Sequence, residues 1–293
     1  MRNFACKLLI LLSPLVNLPM ALATSDGALL IRNVTIVDVQ GNRLEPNRDV
    51  VILDDRIKGI QAGGTTRLPK KGRVIDGAGK YLLPGLWDFH VHVFTAPGEE
   101  DMALPLYILN GITGIRDAGG FRPYAEMRKV ADAIGRGERI GPRLVLAGAV
   151  IDGPPGAWPG QMVARNAEEG RARVRETKAA GWTFVKSYSL LSQAAYSGVA
   201  EEARHHSMPL YGHIPESVTL EAAVKAGHRS IEHFGRVTQA CSTEENKMIA
   251  ANAEALRSAD PMPALMSVMA GHNKTTLENW DAERCAAVAS RLA

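Results

Sequence analysis

Residues 84–92 read Pro84-Gly85-Leu86-Trp87-Asp88-Phe89-His90-Val91-His92, and the chain changes character across them. Upstream, over 28–75, the runs are short and β-like. Leu29-Leu30-Ile31 and Thr35-Ile36-Val37 are separated at Asn33. Residues 50–53 and 56–60 flank a turn at Asp54-Asp55, and Arg73-Val74-Ile75-Asp76-Gly77 ends in another. This predicts a small antiparallel β region of about sixty residues. Downstream, apolar runs at 86–93, 112–117, 143–150, 183–188, 210–213 and 230–234 alternate with helical stretches such as 124–135, 167–180, 194–206 and 218–226. Gly181 and Gly227 stand where helices stop. Strand, helix, strand at roughly thirty-residue spacing indicates βαβ units and a parallel sheet.

Both a doubly wound sheet and a (β/α)8 barrel satisfy this alternation. Polar residues gather at the C-terminal ends of several separate strands, which favours the barrel. About six βα units are present. From Gly235 onward the chain is helical in composition, opening on a capping-box pattern at Ser242-Thr243-Glu244-Glu245. A closed barrel takes about 250 residues, and 209 follow Pro84. The expected fold is α/β: a partial TIM-type (β/α)8 barrel over 85–293 behind a β-sandwich-like region over 24–84.

His90 and His92 lie near the end of the first barrel strand. Side chains two apart on a strand share a face, so both imidazoles are expected at the barrel mouth, with Phe89 and Val91 packed outward. Two neutral imidazoles on one face make a two-point grip on a divalent metal such as zinc. Lys186, in Phe184-Val185-Lys186-Ser187-Tyr188, is costly to bury as a cation. Either it reaches solvent at the strand end, or it is a carbamate whose oxygens bridge two metals, burial having freed the amine to react with carbon dioxide. His213 ends the fifth strand and His233 the sixth. Four histidines and a lysine at successive strand ends form a converging set.

Three segments are similar to the metallo-dependent amidohydrolase superfamily. Residues 84–92 resemble its opening signature, and the order H-x-H, lysine, histidine, histidine resembles its binuclear subgroup. Asn110-Gly111-Ile112-Thr113-Gly114-Ile115-Arg116-Asp117-Ala118-Gly119-Gly120 and Ala226-Gly227-His228-Arg229-Ser230-Ile231-Glu232-His233 resemble the imidazolonepropionase-like and Xaa-Pro dipeptidase-like branch. The resemblance implies that His90 and His92 bind one divalent ion, most simply zinc, that His213 and His233 bind a second, and that carbamylated Lys186 bridges them. Iron, manganese or cobalt also suits such ligands. It implies hydrolysis of amide, lactam or dipeptide bonds in small molecules by a metal-activated hydroxide. It also calls for an aspartate after an eighth strand, and no residue here is assignable to it: Asp260 reads as loop and Asp281 as helical tail. The competing reading is therefore a truncated, catalytically impaired metal-binding remnant.

Other positions stay open between two roles. Tyr188 shares a face with Lys186 and either hydrogen-bonds substrate or caps the barrel core. Asp117 either orients a ligand or binds substrate, or else pairs with Arg116. The loop over 152–160 is a substrate wall or a plain surface loop. His205, His206 and His228 end helices and are expected at the surface.

Charge and leader narrow the class. The net charge is +3 at 46% hydrophobic and 22% charged residues, without the clustered positive charge of a nucleic-acid binder. Residues 1–23 read as a cleavable signal peptide: Arg2 and Lys7, an apolar stretch over 8–22, and Ala21-Leu22-Ala23 before Thr24. Pro14, Asn17 and Pro19 interrupt the apolar run, which excludes a stable membrane anchor. A secreted or periplasmic protein follows. There, Cys241 and Cys285 pair or remain two free, partly buried thiols; the thiol reading is the expectation.

Overall fold

The computed structural model describes residues 27–67, 72–119, 122–158 and 160–292. The expected leader, with Cys6, lies outside the described residues. The backbone forms two compact units that meet at the Pro84–Gly85 junction.

The first unit is one five-stranded sheet built around β1 (Ala28–Asp38). Its apolar residues Ala28, Leu30 and Val34 are buried, together with Val50 and Val51 of β2 (Arg43–Leu53). The two runs separated at Asn33 are a single strand. Asn33 adopts φ 56° where the ladder to β2 slips between Ile31 and Val34, so it is a bulge and not a break. Buried Asp49 fixes that bulge by accepting from the backbone of Asn33 at 3.1 Å and of Thr66 at 3.1 Å. The turn at Asp54 (φ 55°) folds β3 (Arg56–Ala62) back onto β2. The expectation of an all-antiparallel region is corrected: β4 (Arg73–Asp76) and β5 (Tyr81–Leu82) both lie parallel to β1. The described residues of this unit make one mixed sheet, not two facing ones.

The second unit alternates strands and helices. Its strands are β6 (Leu86–Val91), β7 (Ile112–Asp117), β8 (Arg143–Leu146), β9 (Ile151–Asp152), β10 (Met162–Val163), β11 (Val185–Ser187), β12 (Leu210–Gly212) and β13 (His228–Ile231). Between them run α1 (Glu99–Leu109), α2 (Tyr124–Gly135), α3 (Ala167–Ala179), α4 (Gln193–His205) and α5 (Leu220–Lys225). Among the described residues every pairing of these strands is parallel. They form two sheets, β6-β7-β8 and β10-β9-β11-β12-β13. The segment 143–152 joins them, since β8 pairs with β7 and β9 with β11. This is the barrel-type arrangement, and among the described residues it is an arc rather than a closed ring.

Local chemistry explains the helix limits. Asn166, Ser192 and Thr219 cap α3, α4 and α5 by accepting from backbone N–H groups three residues on. Gly181 (φ 86°) and Gly227 (φ 89°) end α3 and α5 in the left-handed region. The core between strands and helices is Ile151, Val174, Val185, Leu191, Val199, Leu210 and Ile214, all buried. His228 departs from its expected surface position. Gly227 stops the helix, so His228 opens β13 and is buried, bonded to the Tyr196 hydroxyl at 3.1 Å and the Gly212 carbonyl at 3.1 Å.

Beyond β13 the described chain is helical: α6 (Gly235–Ala240), α7 (Glu245–Ala255), α8 (Pro261–Met269), α9 (His272–Glu278) and α10 (Ala282–Leu292). None of the described helices is long and apolar enough to cross a membrane. The capping box does not form. Glu245 is buried and its carboxylate accepts from Leu220 N and Arg284 instead. The free-thiol expectation is likewise corrected, because Cys241 and Cys285 are disulfide-bonded with 4.4 Å between Cα atoms. Sequence spacing carries no such geometry. The approach comes from a bridge between Ser242 and Trp280 and from Asp281 N donating to the Cys241 carbonyl at 3.0 Å. The bond closes a loop with a sequence separation of 44, so Cys285→Ser should lower stability by about 2–4 kcal/mol. This is read as a fall in Tm under non-reducing conditions; dithiothreitol should reproduce it in the parent and leave the variant unmoved.

Candidate metal centre

The H-x-H segment sits at a defect in the first strand. The β6–β7 ladder slips between Asp88 and Val91, and the His90 amide donates to the Asp88 carboxylate at 3.1 Å instead of to a neighbouring strand. A bulge of this kind re-aims side chains. His92 lies one residue past the strand end. Val91 packs into the core, while Phe89 is 57% exposed, so only one of the two expected outward residues is buried.

The two imidazoles face each other, with Nε2 of His90 3.3 Å from Nε2 of His92. Each Nδ1 meets an oxygen that only accepts: the Glu232 carboxylate at 2.6 Å for His90 and the Gly119 carbonyl at 2.7 Å for His92. Each Nδ1 therefore carries the proton, and in the neutral rings both Nε2 lone pairs point at one another. In that tautomer pair neither Nε2 can donate to the other, and both are open to a cation. Ligand nitrogens about 2.0–2.1 Å from a tetrahedral zinc lie about 3.3–3.4 Å apart, so the spacing fits such an ion. Among the described residues no group of three or more His, Cys, Asp or Glu side chains reaches metal-holding geometry.

The other expected ligands surround it. His233 lies two residues beyond β13 with φ 63°, a strained backbone state for a residue bearing Cβ. Its ring centroid is 4.9 Å from those of both His90 and His213. His213 follows β12 directly, bonded through Nδ1 to the Ser189 hydroxyl at 2.9 Å. Burial, then the Lys186 amine and the neighbouring imidazoles, push its pKa down to about 3, so it is neutral and able to ligate.

Lys186, at the middle of β11, does not reach solvent. It is 1% exposed and, among the described residues, its Nζ has no hydrogen-bond partner. Burial lowers its amine to about 8, against the pull of Glu232. The side chain runs along Gly212, where a Cβ would meet Lys186 Cδ at 2.9 Å and the Ser187 carbonyl at 2.4 Å. Gly212 also holds φ 122°, so glycine is required there on both counts.

Tyr188 stacks on His213 with centroids 4.1 Å apart, and Trp158 of the 152–160 loop stacks on His92 at 5.3 Å. The two aromatics meet edge-on at 6.0 Å. The loop thus walls the histidine cluster. Asp117 is fully buried and does not pair with Arg116 in any described contact; it accepts from Val93 N at 2.9 Å and Gly119 N at 3.1 Å. It thereby fixes the backbone just after His92 and the Gly119 residue whose carbonyl meets the His92 ring. Burial raises its pKa despite those donors.

Glu232, Arg116, Ser189 and Trp158 were not singled out as site residues by sequence. Glu232 immediately precedes His233, and its charge inside an apolar strand was the available signal.

Residues 81–254 match the amidohydrolase family model. A dihydroorotase of Anaeromyxobacter dehalogenans (strain 2CP-C) is 29% identical over 196 residues, covering 64% of this chain and 42% of that protein. A dihydroorotase of Thermus aquaticus is 40% identical over 72 residues, covering 25% of this chain and 15% of that protein. The chain thus spans less than half the length of these curated relatives. A solved Xaa-Pro dipeptidase with bound methionine shares the fold with a TM-score of 0.59 at 19% identity, over 90% of this chain and 74% of that one. With the family model met over well more than half of the 293 residues, and with histidines and a lysine delivered from successive parallel strands, the chain belongs to the amidohydrolase family.

Proposed function

We propose that this chain holds divalent metal, most simply two zinc ions, on His90, His92, His213, His233 and a carbamate of Lys186, and that it serves hydrolysis of carbon–nitrogen bonds in small amides or dipeptides. The observation that carries the reading is the 3.3 Å approach of the His90 and His92 Nε2 atoms in a cluster that also holds a buried amine with no hydrogen-bond partner among the described residues. When bound, the metals supply acidification of water and polarisation of a carbonyl.

The protein's own residues supply the rest. Neutral Lys186 Nζ adds to the carbon of carbon dioxide, a nitrogen–carbon bond forms, and one N–H proton leaves to solvent. The resulting carbamate would present two anionic oxygens as metal ligands where the amine presented none. Glu232 and the Gly119 carbonyl hold the two imidazoles in their ligating tautomer. Trp158 and Tyr188 offer an apolar wall beside the histidines, and the Tyr188 hydroxyl is the candidate donor to a substrate carboxylate or oxyanion. Relatives named as dihydroorotases and a neighbour titled as a dipeptidase support a small carbon–nitrogen substrate. The leader-like run over 1–23 and the Cys241–Cys285 bond support an exported location.

A second reading is a metal-holding protein with little turnover. The carboxylates touching the histidine-bearing segments are already engaged: Asp88 by His90 N, Asp117 by Val93 N and Gly119 N, Glu232 by His90 and Arg116. General acid–base help is worth about a hundred- to ten-thousand-fold, so hydrolysis of dipeptides by this chain should fall short of a fully equipped enzyme by that order. Steady-state assays of the purified protein over a dipeptide and cyclic-amide panel decide it; rapid turnover sinks the second reading.

Metal content by mass spectrometry, after expression with zinc and bicarbonate, should approach two ions per chain and fall for both together in Lys186→Ala. Retention of both ions in that variant would remove the carbamate from the site. The metal-free, bicarbonate-free protein gives a pH test. Lys186 titrates near 8 when folded and near 10.5 unfolded. Between those values the unfolded chain binds the extra proton, so stability rises with pH through that window. Tm should climb over that range, and the climb should shrink in Lys186→Met.

A further inference from the structure

Arg116 and Glu232 lie in the two segments, 110–120 and 226–233, that carry the family resemblance beyond the histidines, yet neither acts on substrate in the reading above. Their side chains meet inside the arc. Glu232 is 6% exposed and both of its oxygens are committed: Oε2 to His90 Nδ1 at 2.6 Å and Oε1 to an Arg116 Nη at 2.7 Å. Arg116, also 6% exposed, donates through Nε to the Phe89 carbonyl at 2.7 Å and through the same Nη to the Ser230 hydroxyl at 2.9 Å. Its guanidinium carbon lies over the rings of Phe89, at 5.4 Å, and Tyr211, at 4.7 Å. One side chain from β7 therefore touches β6, β12 and β13.

Stability alone does not account for this arrangement. Burying an ion pair desolvates two charges, and apolar replacements of similar volume are often as stable or more so. An apolar replacement cannot choose a histidine tautomer. Glu232 places the His90 proton on Nδ1 and so leaves Nε2 bare toward His92 Nε2, 3.3 Å away. Arg116 occupies the second carboxylate oxygen, which stops Glu232 from turning elsewhere. We propose that the Arg116–Glu232 pair is a positioning device for the metal centre: Glu232 sets the tautomer and ring orientation of His90, and Arg116 holds Glu232 in place. The inference rests on the metal-binding reading above.

Zinc titration of the whole purified chain against a chromophoric chelator tests it, with Tm of the chelator-stripped protein as the second readout. In Glu232→Gln the amide presents one acceptor and one donor, so either His90 or Arg116 meets a donor. Zinc affinity should fall about 10–100-fold while the stripped Tm stays near the parent's. The double variant Arg116→Met with Glu232→Leu should lose affinity likewise, with a stripped Tm equal to or above the parent's; if it fails to fold, Glu232→Gln decides alone. Parental zinc affinity in Glu232→Gln overturns the inference and leaves the metal reading standing. A stripped Glu232→Gln protein that has lost its cooperative transition also overturns it, because the pair is then a strut first. A parent that takes up no zinc overturns both.

Discussion

Arg116 carries a full charge into a place closed off from water, and the inner surface of the arc is organised around that charge. A buried guanidinium must be answered by acceptors and by ring faces. The Phe89 carbonyl, the Ser230 hydroxyl, the Glu232 carboxylate and the Tyr211 ring answer it from three other strands. The strands are short, several of only two to four residues, so their ladders alone specify little. The Arg116 contacts orient the polar groups that line the interior, while the buried apolar residues between strands and helices pack the strands themselves.

The same scarcity of water sets the state of the neighbouring groups. Desolvation holds Lys186 toward its neutral form and His213 well inside its neutral range. In the proposed reading, an amine and imidazoles shifted toward their neutral forms are the ligand types that a divalent cation takes up, and its binding would add to the stability of the fold. Gly212 belongs to this economy of space. Its missing side chain leaves room for the Lys186 side chain and the Ser187 backbone of β11 to lie against β12.

Much of the second unit was legible from sequence because βα alternation is a local signal. Its strands β6, β7, β11, β12 and β13 and its helices α2, α3 and α4 follow from periodicity and from glycine stops at Gly181 and Gly227, whereas the expected run 143–150 ends as a strand at Leu146, and β9 and β10 had no strand signal. Other features had no local signature. Local pattern places His228 at a helix end on the surface, whereas it is buried against Tyr196, 32 residues away. The Ser242 capping box failed because Glu245 found a better-buried use with Arg284. In the first unit, two parallel pairings replaced the expected hairpins, since strand direction is set by a crossover and not by composition.

The residue types and their order along the chain, H-x-H then lysine, histidine and histidine, were determined by the sequence alone. The set lies in or just beyond β6, β11, β12 and β13, so the order of the elements was legible from spacing, while the strand defect at His90 and the left-handed backbone of His233 were not. Which nitrogen of His90 carries the proton, which carboxylate is spent on backbone and which on a ring, and that Cys241 finds Cys285 were decided only by tertiary structure. Each of these depends on groups tens to more than a hundred residues apart meeting within about 3 Å, a condition to which local sequence pattern is blind.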